Sequence, residues 1–373
     1  MEPPVIPAPD AANTRYNALA DAYQPRRQWA AIFSVVLNLA AIGAMVLTGG
    51  AEWIYEQFTR FRIHEYAIVP MCIAILFAAH AILNFPIELW FGYLEERQFG
   101  LAKAGIRAWT HDWLAGVIHH GILFTLGSCL IVALQMLVPG GWLYYAVGSL
   151  LILFLGTSYF ATAMIPRNLF QIEPADSGTI NRLTLLAGRD LPRILIFSAT
   201  NQRDFAGGLV GIASRQRLLI SRSTINAASD NLLRFVLLHE LGHRRWRHVL
   251  LATLLGWFWI VSGVVLCDLL APLNVSGTPV YIAWLAMILT AWLALTEPLV
   301  AWIGRRFEYA ADRHFLRNGG TLDEMRAALQ ELSRRNLAST DAQSRRRTIF
   351  HPLPSVDARL RCAERFLNKR KAD

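Results

Sequence analysis

Residues 235–271 read FVLLHELGHRRWRHVLLATLLGWFWIVSGVVLCDLLA. The second part of this stretch, residues 249–271, contains a single charged side chain, that of Asp268. A helix needs roughly 20 predominantly apolar residues to cross the hydrocarbon core of a bilayer, so this part predicts a membrane span. The first part carries an H-E-x-x-H pattern within a leucine- and valine-rich run. The sequence therefore predicts reactive groups at the end of a membrane helix.

Five other apolar runs are also long enough to cross a bilayer, namely residues 29–49, 67–90, 113–138, 142–165 and 279–303. The 373-residue chain is 54% hydrophobic and 17% charged, whereas soluble domains carry about 25% charged residues. This composition excludes a disordered chain and a coiled coil. The four cysteines form no CxxC pair, which argues against a disulfide scaffold and a cysteine metal site. We predict a mainly α, polytopic membrane protein with about six spans.

Basic residues beside the spans predict their orientation, because cytoplasmic loops carry an excess of lysine and arginine. If the N-terminus lies in the cytoplasm, only Arg60 and Arg62 fall on the outer side. The cytoplasmic set comprises Arg26, Arg27, Arg97, Lys103, Arg107, Arg167, Arg244, Arg245, Arg247, Arg305 and Arg306. The net charge of +9 then reflects cytoplasmic loops, so we expect contact with a lipid bilayer and no nucleic-acid partner.

The spans divide the chain into five predicted segments. They are a cytoplasmic N-terminal tail (1–28), a four-span membrane region (29–166), a cytoplasmic catalytic segment (167–248), a two-span hairpin (249–303) and a C-terminal catalytic segment (304–373). Within the cytoplasmic segments the patterns predict a helix over 181–188, a strand over 193–197, a hairpin of 207–211 with 217–221, and a helix over 321–335. The fold expectation is thus a polytopic helical protein with a small cytoplasmic α+β domain.

The H-E-x-x-H pattern has a direct chemical meaning on a helix. Residues i and i+4 share one face, so the imidazoles of His239 and His243 can bind one metal ion. Zinc accepts such nitrogen ligands and keeps a position open for water in catalytic sites. Glu240 lies about 100° round the helix from His239 and can act as general base toward that water. We expect this helix to continue through residues 244–248 into the fifth span.

A catalytic zinc ion of this type needs a third protein ligand. Glu308 and Asp312 follow the sixth span and are also spaced i, i+4. One carboxylate could bind the metal while the other accepts an imidazole N–H. The fifth and sixth spans form a hairpin, so both pairs lie on one side of the membrane. The alternative is an ordinary surface pair of acidic residues.

These motifs resemble those of a known family. H-E-L-G-H at 239–243 together with E-Y-A-A-D at 308–312 resembles the paired motifs of the type I CAAX prenyl proteases, which are integral-membrane zinc peptidases. Residues 95–100 (E-E-R-Q-F-G) resemble the E-E-x-x-G segment of that family, and His351–Pro352 resembles its H-P motif. The resemblance covers roughly residues 66–362.

The resemblance implies one Zn²⁺ ion per chain, with His239, His243 and Glu308 as ligands and Glu240 as base. It also implies that Asp312 orients a ligand and that His351 stabilises the oxyanion of the reaction. An extended peptide or protein substrate, including membrane-associated or lipidated ones, would pair with a strand containing Gly207, Gly208 and Leu209. Alternatively, these glycines form a plain turn.

Two departures from the family concern substrate choice. Leu101–Ala102 replaces the F-N of the family, and Ala206-Gly207-Gly208 replaces its N-A-Y stretch. The composition hints at the plasma membrane of a bacterium, where prenylated substrates are not expected. Three alternatives remain open. They are a quality-control protease of the HtpX type, a non-catalytic zinc-binding membrane scaffold, and a transporter that uses polar side chains within the spans, namely His80, His119, His120 and Glu297.

Overall fold

The computed structural model describes residues 9–61, 65–99, 105–165, 170–199, 207–336 and 353–372. Thirteen α-helices lie in these ranges: α1 (Pro9–Leu47), α2 (Gly50–Arg60), α3 (Glu65–Leu89), α4 (Glu95–Gln98), α5 (Ile106–Leu137), α6 (Trp142–Tyr159), α7 (Ser177–Ala187), α8 (Arg222–Ala227), α9 (Asp230–Arg245), α10 (His248–Leu270), α11 (Val280–Arg317), α12 (Leu322–Asn336) and α13 (Val356–Ala372). A π-helical turn, Trp90–Leu94, joins α3 to α4. The strands are β1 (Phe170–Pro174), β2 (Ile194–Ala199), β3 (Gly207–Val210) and β4 (Arg217–Ser221).

The chain forms two compact units. One, the membrane unit, comprises Ala30–Thr157 and Ala252–Thr296. The other comprises the described residues of Met1–Trp29, Ser158–Leu251 and Glu297–Asp373, and we name it the catalytic unit after the predicted catalytic segments that it contains. Three separate stretches of the chain thus build the catalytic unit.

Six helices within the described ranges are long and apolar enough to cross a membrane, which confirms the predicted number of spans. They cover Pro25–Leu47, Ala67–Gln98, Ile106–Leu137, Trp142–Tyr159, His248–Leu270 and Val280–Arg317. The core of the membrane unit includes Val132, Trp142, Cys267 and Tyr281. The Trp142 and Tyr281 rings meet edge to face with centroids 5.8 Å apart, so α6 and α11 pack closely there.

A four-stranded sheet forms one layer of the catalytic unit, in the order β1-β2-β4-β3. β1 runs antiparallel to β2, β2 runs parallel to β4, and β4 runs antiparallel to β3. Alternate residues of the central strands point to one face, where Ile196 and Ile220 pack with Leu183 of α7 and Leu237 of α9. The sheet therefore holds one side of α9 in place.

A second hydrophobic cluster covers the other side of α9. Phe235 and Leu238 of that helix pack with Phe315 of α11, Met325 of α12 and Leu360 of α13. Because α9 is buried from both sides, its polar side chains are held on a rigid backbone.

Most of the predicted local elements are confirmed. The strand at 193–197 is β2, the hairpin at 207–221 is formed by β3 and β4, and the helix at 321–335 is α12. The helix predicted at 181–188 begins four residues earlier, at Ser177, because Asp176 caps its N-terminus and accepts a hydrogen bond from the Thr179 N–H at 2.9 Å.

The predicted continuous helix through residues 244–248 is wrong. α9 ends at Arg245, and the Trp246 N–H donates to the Gly242 carbonyl as the turn closes. Arg247 then takes a left-handed conformation with φ of 53°, after which α10 begins at His248. This break turns the chain, so α9 and the fifth span are two separate helices.

Candidate active site

α9 supplies three of the predicted site residues. Its N-terminus is capped by Ser229, whose side chain accepts a hydrogen bond from the Leu232 N–H at 3.1 Å. His239 and His243 follow one helical turn apart, and their Nε2 atoms lie 3.1 Å from each other. Glu240 offers a carboxylate oxygen within 4.8 Å of ligand atoms on both histidines. The structure therefore brings these three side chains together.

Glu308 of α11 completes this cluster. One oxygen of its carboxylate lies 3.3 Å from His239 Nε2, and the other lies 3.5 Å from His243 Nε2. Bonds of about 2.0–2.2 Å at tetrahedral angles would separate zinc ligand atoms by roughly 3.3–3.6 Å. The observed spacing of 3.1–3.5 Å thus fits two imidazoles and one carboxylate around a single zinc-sized ion.

Close helix packing brings Glu308 to this position. A Cβ atom added to Gly242 would lie 2.8 Å from Cα of Ala311 and 2.9 Å from Cβ of His314. Such distances are shorter than real Cβ contacts, so only glycine allows α11 to approach α9 this closely. The glycine of the H-E-L-G-H motif therefore has a packing reason in this chain.

Asp312 lies behind His239 on the side away from the cluster. Its Oδ1 atom is 3.0 Å from His239 Nδ1. Burial alone would lower the pKa of His239, but the hydrogen bonds to Asp312 and Glu308 outweigh burial and raise this pKa to about 9. An ionised carboxylate can only accept a hydrogen bond, so the ring nitrogen that faces Asp312 is the donor.

Arg359 of α13 is a functional candidate that sequence reasoning missed. It is 9% exposed, and its Nε atom donates to Oδ2 of Asp312 at 2.8 Å while Nη2 bonds to Oδ1. Its guanidinium also lies 5.5 Å from the ring centroid of Phe235. Although burial disfavours its charge, the carboxylate of Asp312 raises the pKa of Arg359 and keeps it charged. Arg359 lies 47 positions after Asp312, so no local sequence pattern could have identified the pair.

β3 lies directly beside Glu240. The Leu209 N–H donates to Glu240 Oε2 at 2.9 Å, which means that it points away from β4. A Cβ atom on Gly207 would lie 3.1 Å from Val236 of α9, whereas one on Gly208 would meet no atom within 4 Å in the described structure. The structure thus places the predicted substrate strand next to the predicted base.

Glu240 itself is partly shielded from water. Burial raises its pKa above the ordinary value, although the two histidines and the Leu209 N–H act in the opposite direction. A carboxylate with a raised pKa is a better proton acceptor and donor near neutral pH. The environment of Glu240 therefore suits acid–base chemistry.

Two sequence motifs cannot be placed fully. His351 and Pro352 lie outside the described residues, as does Gly100 of the E-E-x-x-G segment. Glu95 begins α4 in the membrane unit and is 6% exposed.

Two family models match the chain. Residues 12–167 match the N-terminal domain of CAAX prenyl proteases, which is described as five membrane helices, and residues 193–366 match peptidase family M48. The first range contains four of the six candidate spans of the described structure.

Individual relatives agree with these models. The chain is 22% identical over 309 residues to a CAAX prenyl protease 1 homolog from Oryza sativa subsp. japonica. The aligned region covers 76% of this chain and 70% of the relative. The fold of this chain is similar to the crystal structure of S. mikatae Ste24p, with a TM-score of 0.78 and 17% sequence identity. The two structures match over 93% of this chain and 88% of Ste24p. Because the two family models together cover most of its length, this chain belongs to the CAAX prenyl protease family and is an integral-membrane metalloprotease that acts on a peptide or protein substrate.

Proposed function

We propose that the protein hydrolyses peptide bonds with one zinc ion held by His239, His243 and Glu308. The observation that carries this proposal is the 3.1–3.5 Å spacing of the three facing ligand groups. The Nε2 proton of His239 would be displaced by a metal ion, after which two neutral imidazoles and one carboxylate match the donor set of catalytic zinc sites with an open fourth position. When bound there, zinc polarises the scissile carbonyl and makes the attacking water more acidic.

Glu240 is the proposed general base. It takes a proton from the water as that water attacks the scissile carbonyl carbon, and it then gives the proton to the leaving amine. The Leu209 N–H holds one carboxylate oxygen at 2.9 Å, so the other oxygen is free to face the reacting groups. No covalent bond forms between the protein and its substrate in this reaction.

Two further residues are proposed to support the reaction. Asp312 fixes the ring of His239, so that Nε2 rather than Nδ1 faces the metal. His351 is assigned as a hydrogen-bond donor to the developing oxyanion, and this assignment rests on the resemblance of its H-P motif alone.

β3 is the proposed docking strand for the substrate. It is the last strand of the sheet in the described structure, so one of its edges is not paired with another strand. The backbone groups of residues i and i+2 in a strand point the same way, so those of Gly207 point away from β4, as the Leu209 N–H does. Because the Leu209 N–H already donates to Glu240, a peptide would pair through the backbone groups of Gly207. An extended peptide paired along this edge would pass beside Glu240, which places a scissile bond within reach of the base.

The proposed substrates are membrane-associated or lipidated proteins cleaved on the cytoplasmic side of a bacterial plasma membrane. The side is supported by the arginines in the last turn of α9 and within α11, since cytoplasmic segments next to spans are rich in such residues. The lipidated class is supported by the name of the rice relative, a CAAX prenyl protease 1 homolog.

The proposal is tested by peptide cleavage with the purified full-length protein in detergent. Unmodified and farnesylated peptides ending in CAAX are compared with an unfolded membrane protein as substrates. We expect wild-type protein to contain one zinc ion and to cleave at least one class. Glu240→Gln should retain the zinc ion but lose roughly 10²–10⁴-fold in kcat, because only the proton transfer is removed.

The controls separate the alternatives. Preference for farnesylated peptides favours a processing enzyme, and preference for the unfolded protein favours quality control. Zinc bound without any cleavage, or equal cleavage by Glu240→Gln, would contradict the proposed mechanism. Unchanged zinc content in Glu308→Ala would contradict the assignment of the third ligand.

A further inference from the structure

A histidine outside the H-E-x-x-H motif lies against one of the proposed ligands. His248 is the first residue of α10 and is 5% exposed. Its Nδ1 atom lies 3.0 Å from Nδ1 of His243. This contact depends on the break between α9 and α10, because the left-handed conformation of Arg247 turns the chain back before His248.

The hydrogen-bond chemistry of this pair has one consistent arrangement. His243 Nε2 faces Nε2 of His239 at 3.1 Å and the carboxylate of Glu308 at 3.5 Å, so its lone pair must point at the metal position. A neutral imidazole that offers Nε2 as a ligand carries its proton on Nδ1. His248 Nδ1 must then be the acceptor of that proton.

α11 fixes the ring of His248 from the other side. The rings of His248 and Phe307 stack with centroids 4.4 Å apart and planes 13° from parallel. Phe307 directly precedes Glu308 in α11. His248 thus contacts one proposed ligand by a hydrogen bond and the residue beside another ligand by ring stacking.

We propose that His248 is a positioning residue, whose Nδ1 atom accepts the Nδ1 proton of His243 and thereby aims His243 Nε2 at the zinc ion. The proposal rests on the ligand assignment given under the proposed function. His248 serves His243 as Asp312 serves His239, but with an uncharged acceptor. The two histidine ligands are therefore held by chemically different partners.

Two substitutions separate this role from packing alone. His248→Phe keeps an aromatic ring to stack on Phe307 but removes the acceptor nitrogen. His248→Asn loses the ring but places Oδ1 on Cγ, where histidine carries Nδ1, and so restores an acceptor. His111→Ala is the matched control, because the His111 side chain is 76% exposed and lies in α5 of the membrane unit.

The measurement is zinc affinity of the full-length protein in detergent, obtained by competition with a chelator of known affinity. Loss of a group that orients a ligand typically weakens metal binding about 10–100-fold. We expect a loss of that size for His248→Phe, recovery of most of it for His248→Asn, and wild-type affinity for His111→Ala. The melting temperature of the zinc-free proteins is measured beside it and should not differ between the two His248 variants by enough to explain the affinities.

Wild-type zinc affinity in His248→Phe would overturn the proposal, and so would equal losses in the Phe and Asn variants. These results are independent of cleavage. A wild-type protein that binds zinc but cleaves no substrate would refute the proposed function while leaving the affinity comparison intact. Conversely, a fully active enzyme whose zinc affinity ignores His248 would refute only this inference.

Discussion

At the scale of single residues, the candidate site includes charges buried behind the proposed ligands. Arg359 and Asp312 are 9% and 3% exposed, and they form a bidentate ion pair next to His239. Removing one partner of such a pair leaves an uncompensated buried charge, which costs more than the pair itself contributes. We therefore expect Asp312 to orient His239 only while Arg359 balances its charge.

Arg359→Leu should therefore destabilise the catalytic unit by about 3–5 kcal/mol, because Asp312 would lose its counter-charge. Arg361→Leu is the control, since Arg361 is exposed and lies in the same helix, and it should have little effect. Thermal unfolding of the two zinc-free proteins in detergent provides the comparison. Equal melting temperatures would show that Arg359 does not stabilise Asp312.

At the scale of elements, the distance between α9 and α11 sets the spacing of the proposed ligands. Gly242→Ala should push α11 away from α9, because the new Cβ would lie 2.8 Å from Cα of Ala311. We expect weaker zinc binding, even though alanine favours a helix over glycine by about 1 kcal/mol.

Gly148→Ala is the matched control for this change. It also lies within a helix, but its added Cβ meets no atom within 4 Å in the described structure. Chelator competition should give wild-type zinc affinity for Gly148→Ala. An affinity for Gly242→Ala equal to that of the control would refute the packing role.

The start of α12 offers a prediction about pH. The Thr321 N–H donates to Glu324 at 2.8 Å, and the Glu324 N–H donates to the Thr321 hydroxyl at 3.1 Å, which forms a capping box. Burial alone would raise the pKa of Glu324, but the Thr321 N–H and Arg234 outweigh burial and lower it. A carboxyl with a lowered pKa stabilises the fold above its ordinary pKa of about 4.3, and this contribution is lost as the pH falls through the lower, folded value.

Thr321→Ala should cost about 1 kcal/mol at neutral pH, as is usual for the loss of a helix cap. Glu324→Gln should lower the melting temperature at pH 7 and have progressively less effect as the pH is reduced below about 4. Melting curves of wild type and both variants between pH 3 and pH 7 test this. A pH-independent effect of Glu324→Gln would contradict the assigned ionic contribution.

At the scale of the whole molecule, six spans require both ends of the chain to lie on one side of the membrane. We therefore predict that the loop between α10 and α11 faces the opposite side of the membrane from α7. Leu273 in that loop is 92% exposed, and Leu185 of α7 is 82% exposed, so both positions accept a cysteine probe.

In intact cells, a membrane-impermeant maleimide should label Leu273→Cys but not Leu185→Cys, because the basic residues predict that only the former faces outward. After permeabilisation both should be labelled. The wild-type protein is labelled in parallel to account for its four free cysteines. Labelling of both variants in intact cells would contradict the proposed orientation.

The sequence alone determined the six membrane spans and the pairing of His239 with His243. Both follow from local patterns. A span needs roughly 20 apolar residues in one run, and the 3.6-residue helix period places residues four apart on one face. The hairpin of β3 and β4 was also readable, because its strands are close in sequence.

Only the tertiary structure decided which distant groups meet the motif. The parallel pairing of β2 with β4, the Arg359–Asp312 pair and the contact of His243 with His248 each depend on where separate elements pack. The turn at Arg247 interrupts a run whose local propensity is helical, and it is this turn that places His248 beside the site. Such contacts arise from packing between elements that are distant in sequence, so no local periodicity predicts them. They determine which side chains surround the H-E-x-x-H motif.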